Sequence, residues 1–459
     1  MSRPTASSLL SKFPFGTAPL VVLLVTLLAG SWVLAHPSPA KNPATIRLWT
    51  YTPEHIKQYQ AAAAAYERAN PGVHISVEQF EYRAMATRLR SAFWAGLDVP
   101  ELVETNSTLA AGFFAGPVDE VGFLDLRPLL ESSGLIDHIV KSRLAQFTNR
   151  GHIFGLPHDV HPVLIAYRKD IFDAEGIDVS TIETWDDFVR VGRRLRRLPG
   201  EHPDGARYIL QLPRAEGWGV EIMMIQNGGG YFDADGQLIM DSEETVQAIE
   251  RYVPMIAGPD RVAGDLGNWA QPMVKAMEEG RTLSFLAPDW RARGFENDMP
   301  LLKGKMALMP LPAFKRGGRR TSTWGGSMLG LTKLSKDPER VWDVARYLYT
   351  SPESCAAEWN GAGILPPVRD AWKLPAFNQR SAYWSNQLAA QEYAKVADDV
   401  PAHYMHPLME FAEGKLGEVE AAAVRYYEEH GADGFDAFVR RELHGAADVI
   451  RRQMRRNPF

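Results

Sequence analysis

Three histidines and an aspartate crowd one short stretch, "HIFGLPHDVHP", where His152, His158, His161 and Asp159 are residue types that ligate metals or relay protons. Their spacing fits no standard zinc motif, and Pro157 and Pro162 deny them the helix that would align ligands. They read as polar loop residues, as do His403 and His406 of "HYMH", which could share a helix face with Glu410. "DADG" hints at calcium, but an EF-hand loop needs acidic first and twelfth positions, which here would be Tyr231 and Ser242. "NGGG", Asn227 to Gly230, has neither the G-K-[ST] of a phosphate loop nor G-x-G-x-x-G, and no G-x-S-x-G nucleophile elbow occurs. Carboxylates are plentiful, so a pair for glycoside hydrolysis exists by number, yet nothing nominates one pair over another. The single cysteine, Cys355, excludes an intrachain disulfide and reads as a small buried apolar residue.

Tryptophan is the other chemical signal. There are 12, and several stand beside turn residues rather than inside helices. Trp49 ends a strand-like run, Trp290 follows "FLAPD", and Trp324 precedes two glycines in "TSTWGGSMLG". Flat aromatic faces suit the C–H faces of sugar rings while polar groups at the rim take the hydroxyls. A single tryptophan is more often core, so this reading needs independent support.

The elements that must position these residues alternate strand and helix. "ATIRLWT" reads as a strand and "PEHIKQYQAAAAAYERA" as a helix with Ile56, Tyr59, Ala63 and Tyr66 on one face. "VHISVEQF", "YRAMATRLRSAFWAG" and "PELVET" continue as strand, helix and strand, the signature of parallel pairing with helical crossovers. Beyond Gly151, "HIFGLP" and "PVLIAYRKDIF" read as strands, and "TWDDFVRVGRRLRRL" as a helix facing a core with Trp185, Phe188, Val191 and Leu195. Asp241 and Glu244 are expected to form a capping box for a helix carrying Val246, Ile249 and Val253. "KMALMPLP" and "MLGLTKL" are strands, Asp337–Pro338 opens another helix, and the chain after Pro366 is almost wholly helical. "KRGGRR", Lys315 to Arg320, reads as a solvated hairpin tip.

At 459 residues the chain predicts about two domains. A net charge of −6 with 45% hydrophobic residues offers no basic surface for nucleic acid. The N-terminus differs in kind, because "APLVVLLVTLLAGSWVLA" runs from Ala18 to Ala35 without a charge, preceded by Arg3 and Lys12 alone. It reads as an export signal, cut after a V-x-A site at Val33 and Ala35, or as a short membrane anchor, with "PSPAKNPA" as the linker beyond. "LLAGS" resembles a lipoprotein cleavage motif, but Ser31 stands where lipidation needs a cysteine.

The order of motifs supplies the independent support. "FAGPVDEVGFLDLRPLL", "GHIFGLPHDVHPVLIAYRKDIFDAEGIDVSTIETWDDF", "NGGGYFDADGQLIMDSEETVQAIERY", "MALMPLPAFKRGGRRTSTWGGSMLGLTKLSKDPERVWDVARYL" and "GAGILPPVRDAW" resemble, in sequence order, segments of the extracellular solute-binding proteins of ABC transporters. The resemblance runs from about Thr45 to Arg369 and is to the sugar-binding, maltose-binding-protein-like family. It implies an α/β fold of two discontinuous lobes joined by hinge strands, with a helical C-terminal region and a ligand in the cleft between the lobes. The lobes are expected over 44–158 with 311–359, and 159–310 with 360–459, after an N-terminal segment 1–43.

Carried over by position, the resemblance implies a ligand site of Trp49, Thr50, Tyr51, Asn106, Ser107, His158, Asp159, Trp218, Asp289, Trp290, Trp324, Gly325, Gly326 and Ser327. Trp218 and Trp269 read equally as cleft or core. The family often has an aspartate in the loop after its third strand, where this chain has "ETNST". The implied function is a non-enzymatic receptor that delivers a sugar or oligosaccharide to an ABC permease. It would act as an exported monomer on the periplasmic or extracellular side, with no cofactor, metal or nucleic-acid partner. The alternatives are an exported carbohydrate-active hydrolase and the same fold binding a non-sugar solute such as a polyamine.

Overall fold

The structure is a computed structural model, and it describes residues 18–35, 45–196, 207–267 and 271–456. The first residues of the leader, the linker "PSPAKNPA" and Trp269 lie outside the described residues. The chain divides into a unit of residues 1–45 and a unit of residues 46–459. In the first, Ala18–Ala35 is a helix of 18 residues. Among the described residues no helix is long and apolar enough to cross a membrane, which leaves the expected anchor unsupported.

The large unit carries two five-stranded sheets. Strands are β1 Thr45–Thr50, β2 His74–Gln79, β3 Leu102–Asn106, β4 Thr148–Asn149, β5 His152–Ile153, β6 Leu156–Pro157, β7 Val163–Arg168, β8 Leu210–Gln211, β9 Ala263–Gly264, β10 Ser284–Pro288, β11 Met306–Pro310 and β12 Ser327–Leu331. The first sheet has the order β2-β1-β3-β12-β6 and the second β11-β7-β10-β8-β9. β1 and β3 pair in parallel across a helical crossover, as the alternation predicts. β12 returns from far along the chain and pairs antiparallel with β3, Ser327 against Asn106 through Leu331 against Leu102.

Both sheets are covered on both faces. Along β7, Val163, Ile165 and Tyr167 enter one core while Leu164 and Ala166 enter the other, which explains the unbroken apolar run "VLIA". The helices Trp218–Asn227, Glu243–Ile256, Met409–His430 and Phe435–Arg456 build the first of these cores. Cys355 is buried, and burial pushes its thiol well above the usual range.

Several elements depart from the sequence reading. "KDIF" is the start of helix Lys169–Ala174, because β7 ends at Arg168, whose guanidinium turns onto Asp170 at 2.7 Å. "HIFGLP" splits into β5 and β6. On helix Pro53–Ala69 the buried stripe is His55, Tyr59, Ala63 and Tyr66, with His55 in place of Ile56. Asp241 caps nothing on Glu244, since its carboxylate receives Arg451 at 2.7 Å, and Ser242 holds the N-cap position. The 403–406 segment is irregular rather than helical. "KRGGRR" is pinned by its own arginines: Arg319 donates to Gln226 O at 3.1 Å and Arg320 to Ile182 O at 2.8 Å.

Candidate functional site

The segment around Trp324 runs beside the chain that leads into β7. Val163 N donates to Ser322 O at 3.1 Å, and Pro162 bridges Thr323. Gly325 and Gly326 have φ of +90° and +136°, conformations that L side chains rarely adopt. A Cβ at Gly326 would collide with Arg143 Nη2 and Gln146 Oε1, while Gly326 O accepts from Ser107 N at 2.8 Å. Gly326 is therefore demanded by the protein's own close packing, and Gly325 by its backbone angle.

From this turn Trp324 projects into an aromatic ridge. Its ring stacks on Trp218, with centroids 4.3 Å apart and planes 9° from parallel. Trp290 leans against it at 5.2 Å and 57°, and Trp290 Nε1 donates to Trp324 O at 3.2 Å. The buried guanidinium of Arg291 lies 5.3 Å from the centroids of both Trp218 and Trp324, and burial pushes its pKa down to about 9. Trp218 is 9% exposed, with its Nε1 donating to Glu216 at 2.7 Å, whereas Trp290 and Trp324 are half-buried.

A polar rim is built around Ser327, three residues beyond Trp324 and paired with Asn106. The Tyr51 and Ser327 hydroxyls bond at 2.8 Å, and Tyr51 meets Tyr82 edge-on at 5.6 Å. Tyr82 OH donates to Asn106 Oδ1 at 2.9 Å. Asn106 Oδ1 also caps helix Ser107–Phe113 by accepting from Leu109 N at 2.8 Å. One residue along that helix, Thr108 Oγ1 donates to Glu413 at 2.9 Å, joining it to helix Met409–His430.

β1 sends its last residues in different directions. Trp49, 2% exposed, packs on Phe80 with centroids 4.4 Å apart, in the core on one face of the first sheet. Thr50 lies on the other face, hydrogen-bonded to Glu104. Only Tyr51, beyond the strand, reaches the rim.

His158, Asp159 and Asp289 are 0–1% exposed and belong to buried charge networks. In the first, Asp159 receives Arg143 Nη2 at 2.8 Å, Ser327 N at 2.8 Å and His161 Nε2 at 3.1 Å. The other nitrogen of His161 donates to Asp289 at 2.6 Å, and Asp289 also receives Leu365 N at 2.7 Å. Burial opposes charge on His161, but Asp159 and Asp289 outweigh it and raise its pKa to about 9. Burial likewise opposes charge on Asp159, and His161, His158 and Arg143 hold its carboxyl well below the usual range.

In the second network Glu104 accepts from His55 Nδ1 at 2.8 Å, Tyr59 OH at 2.7 Å and Thr50. His158 contacts Glu358 and lies 4.6 Å from His55, centroid to centroid. Burial opposes charge on Glu104, yet His55 and His158 lower its pKa to about 2. One ligand atom each of His55, Glu104 and His158 falls within 4.8 Å of the others. These donors could hold a metal only by surrendering the hydrogen bonds that Glu104 already accepts. His152 is elsewhere, bonded to Asp125 at 2.8 Å. Replacing Glu104 by glutamine should cost about 1–3 kcal/mol, because one of the buried oxygens that accept from Thr50, His55 and Tyr59 becomes an NH2 group facing a donor. Urea unfolding of the variant measures it, and an unchanged midpoint would remove this network from the stability account.

A set of carboxyls lies on two helices near the ridge. Burial and mutual repulsion raise the pKa of Glu221, which accepts from Tyr231 OH at 3.0 Å, and burial raises Glu413 in the same direction. Glu420 accepts from Gly217 N at 2.6 Å, and burial brings its pKa to about 7. A carboxyl raised on folding binds its proton more tightly in the native state, so its stabilisation is complete below the unfolded value near 4.5. It is lost as pH rises through about 7. Stability should therefore fall by about 2–3 kcal/mol from Glu420 alone between pH 5 and pH 8. Melting curves across that range check it, and Glu420→Gln should flatten the decline.

Sequence reasoning missed His55, Tyr59, Tyr82, Arg143, Gln146, Glu221 and Glu413, and it read His161 as a loop residue. The signal for His55 is its place in the same helical stripe as Tyr59, Ala63 and Tyr66. Glu413 lies 305 residues from Thr108, and no local pattern marks it.

The profile of the family described as bacterial extracellular solute-binding protein matches residues 50–353. The chain belongs to this family. Among curated relatives, the arabinooligosaccharide-binding protein of Bacillus subtilis is 27% identical over 374 residues, 79% of this chain and 82% of that one. Among solved structures, the sugar-binding protein MalE of Xanthomonas citri superposes with a TM-score of 0.71 at 21% identity, over 89% of this chain and 99% of that one. An ABC-transporter-associated binding protein of B. animalis subsp. lactis Bl-04, in complex with β-1,6-galactobiose, does so with 0.66 at 19%, over 89% and 98%. The fold of this solute-binding protein is thus the two-domain α/β fold of the MalE-like structures. Membership in an extracellular family implies export, and its members bind solutes.

Proposed function

We propose that the chain is the sugar- or oligosaccharide-binding receptor of an ABC importer, holding its ligand against the Trp218–Trp324–Trp290 ridge and handing it to a membrane permease. The ridge carries the reading: the half-buried indole of Trp324 meets the half-buried Trp290 and the buried Trp218, and three residues beyond Trp324 the hydroxyl of Ser327 bonds that of Tyr51 and Ser327 pairs with Asn106. Apolar faces with a polar rim match the two sides of a sugar ring. The names of the curated relative and the solved complexes point to the same ligand class. The receptor works as a monomer without catalysis, and ligand closes the lobes by binding the closed state more tightly. The lobe divisions proposed are 44–158 with 311–359 and 159–310 with 360–459; each contains the strands of one sheet, while Leu311, Phe314 and Trp324 pack on the core of the second, and the N-terminal segment would serve as the export signal.

Titration calorimetry against arabino-, malto- and galacto-oligosaccharides tests the reading. Heat from none of them would end it. The stacked indole faces favour one second reading, a cationic solute such as a polyamine, which aromatic rings also attract. Spermidine in the same panel separates the two. Turnover of chromogenic glycosides would overturn the non-enzymatic assignment, and intact mass of the exported protein reports cleavage after Ala35.

A further inference from the structure

We infer that Arg143 and Gln146, on a short helix about 180 residues before the loop in sequence, are the positioning residues of the Trp324 loop. The inference rests on the reading of Trp324 as a ligand-stacking face. Helix Lys141–Gln146 buries both side chains completely. Arg143 Nη1 donates to Thr323 Oγ1 at 3.0 Å, and Gln146 Nε2 donates to Gly325 O at 3.1 Å. Arg143 also grips Asp159 twice, through Nε to the backbone O at 3.0 Å and Nη2 to Oδ1 at 2.8 Å. Asp159 in turn receives Ser327 N at 2.8 Å. The loop is therefore held at 323, 325 and 327, on both sides of Trp324 and at every second residue. Little backbone freedom is left to the residue between the first two anchors.

The same chain of bonds reaches the second indole. From Asp159 it passes through His161 to Asp289, whose Oδ1 also receives Trp290 N at 2.8 Å. Arg143, Asp159, His161 and Asp289 alternate in charge, so each link satisfies its neighbours in a dry setting where an unmatched charge would be costly. One buried line thus sets the backbone of both Trp324 and Trp290. Preorganised aromatic faces bind more tightly because their ordering cost is met before the ligand arrives.

The test compares Arg143→Lys and Gln146→Met with the full-length wild type. Lysine keeps the charge on Asp159 but cannot also reach Thr323, and methionine keeps the bulk of Gln146 without its donor. Leu443→Ala, in the core of helix Phe435–Arg456, is the control for simple destabilisation. Two readouts are taken on folded protein: the near-ultraviolet circular dichroism of the ligand-free state, which reports the Trp218–Trp324 stack, and affinity for the best sugar of the panel. Both positioning variants are expected to change the indole band and to weaken binding about tenfold, a loss of about 1.4 kcal/mol. Leu443→Ala should lower the melting temperature and leave band and affinity alone. Variants that melt earlier but keep the wild-type band and affinity would overturn the inference. If Arg143→Lys does not fold, Gln146→Met decides alone. A changed band in a protein that binds no sugar would sink the ligand reading while leaving the positioning role standing.

Discussion

Trp324→Ala is expected to weaken sugar binding by about tenfold to a hundredfold, roughly 1.4–2.8 kcal/mol, while lowering global stability by less. The argument rests on which side of the indole is already satisfied. One face lies against Trp218 at 4.3 Å and Trp290 leans on the ring, yet the residue stays half-buried, so much of its aromatic surface has yet to be desolvated. Burial by ligand, rather than by the fold, would then release most of the free energy this side chain can supply. Calorimetry and urea unfolding on the same preparation separate the two effects. A variant that binds normally but unfolds earlier would return Trp324 to the core. Trp218→Ala should fall between the two cases, because Trp218 is already 9% exposed and supports the stack from behind.

Gly326→Ala should be the more damaging change to the protein itself. At φ +136° an L residue is strained by about 1–3 kcal/mol. The added methyl would also press on Arg143 Nη2 and Gln146 Oε1, with Gln146 Nε2 only 2.9 Å away. Those side chains are the anchors of the loop and cannot retreat without leaving Thr323 and Gly325. Overpacking of this kind adds about 1–3 kcal/mol, giving about 2–6 kcal/mol in all. A melting temperature within a degree or two of wild type would refute the account of why two glycines follow this tryptophan. Gly325→Ala should be milder, since its Cβ would meet His161 Cδ2 at 3.5 Å and Trp290 Nε1 at 3.6 Å, ordinary contact distances, leaving the φ of +90° as the main cost.

What could be read from the sequence follows a physical division. Elements whose periodicity is set by burial were legible: β1, β3, β7 and β12 fall where apolar runs place them, and helix Pro338–Thr350 starts at Asp337, whose side chain accepts from Arg340 N at 3.1 Å. The Trp324 turn was legible because tryptophan followed by two glycines is an unusual local demand. Its reason was not, since the groups that forbid a Cβ come from a helix nearly 180 residues earlier in the chain. Trp49 shows the limit of carrying positions from a family, because the alternation of side chains along β1 turns it into the core and leaves only Tyr51 at the rim. The charge networks were invisible for a related reason. A histidine or glutamate looks the same in sequence whether water or a buried counter-charge satisfies it, and only the fold says which.

The place of β12 in the first sheet bears on when that sheet can exist. β12 sits between β3 and β6, and its pairing with β3 closes a loop of more than two hundred residues. The entropy of that closure must be met before the long-range pairing returns anything, which makes it a slow step. Until Leu331 is free to pair, β3 keeps one edge open and β6 has no partner in its sheet. A chain wired in this way cannot complete its first sheet until synthesis has passed Leu331, so the earlier strands wait on the last one to be made.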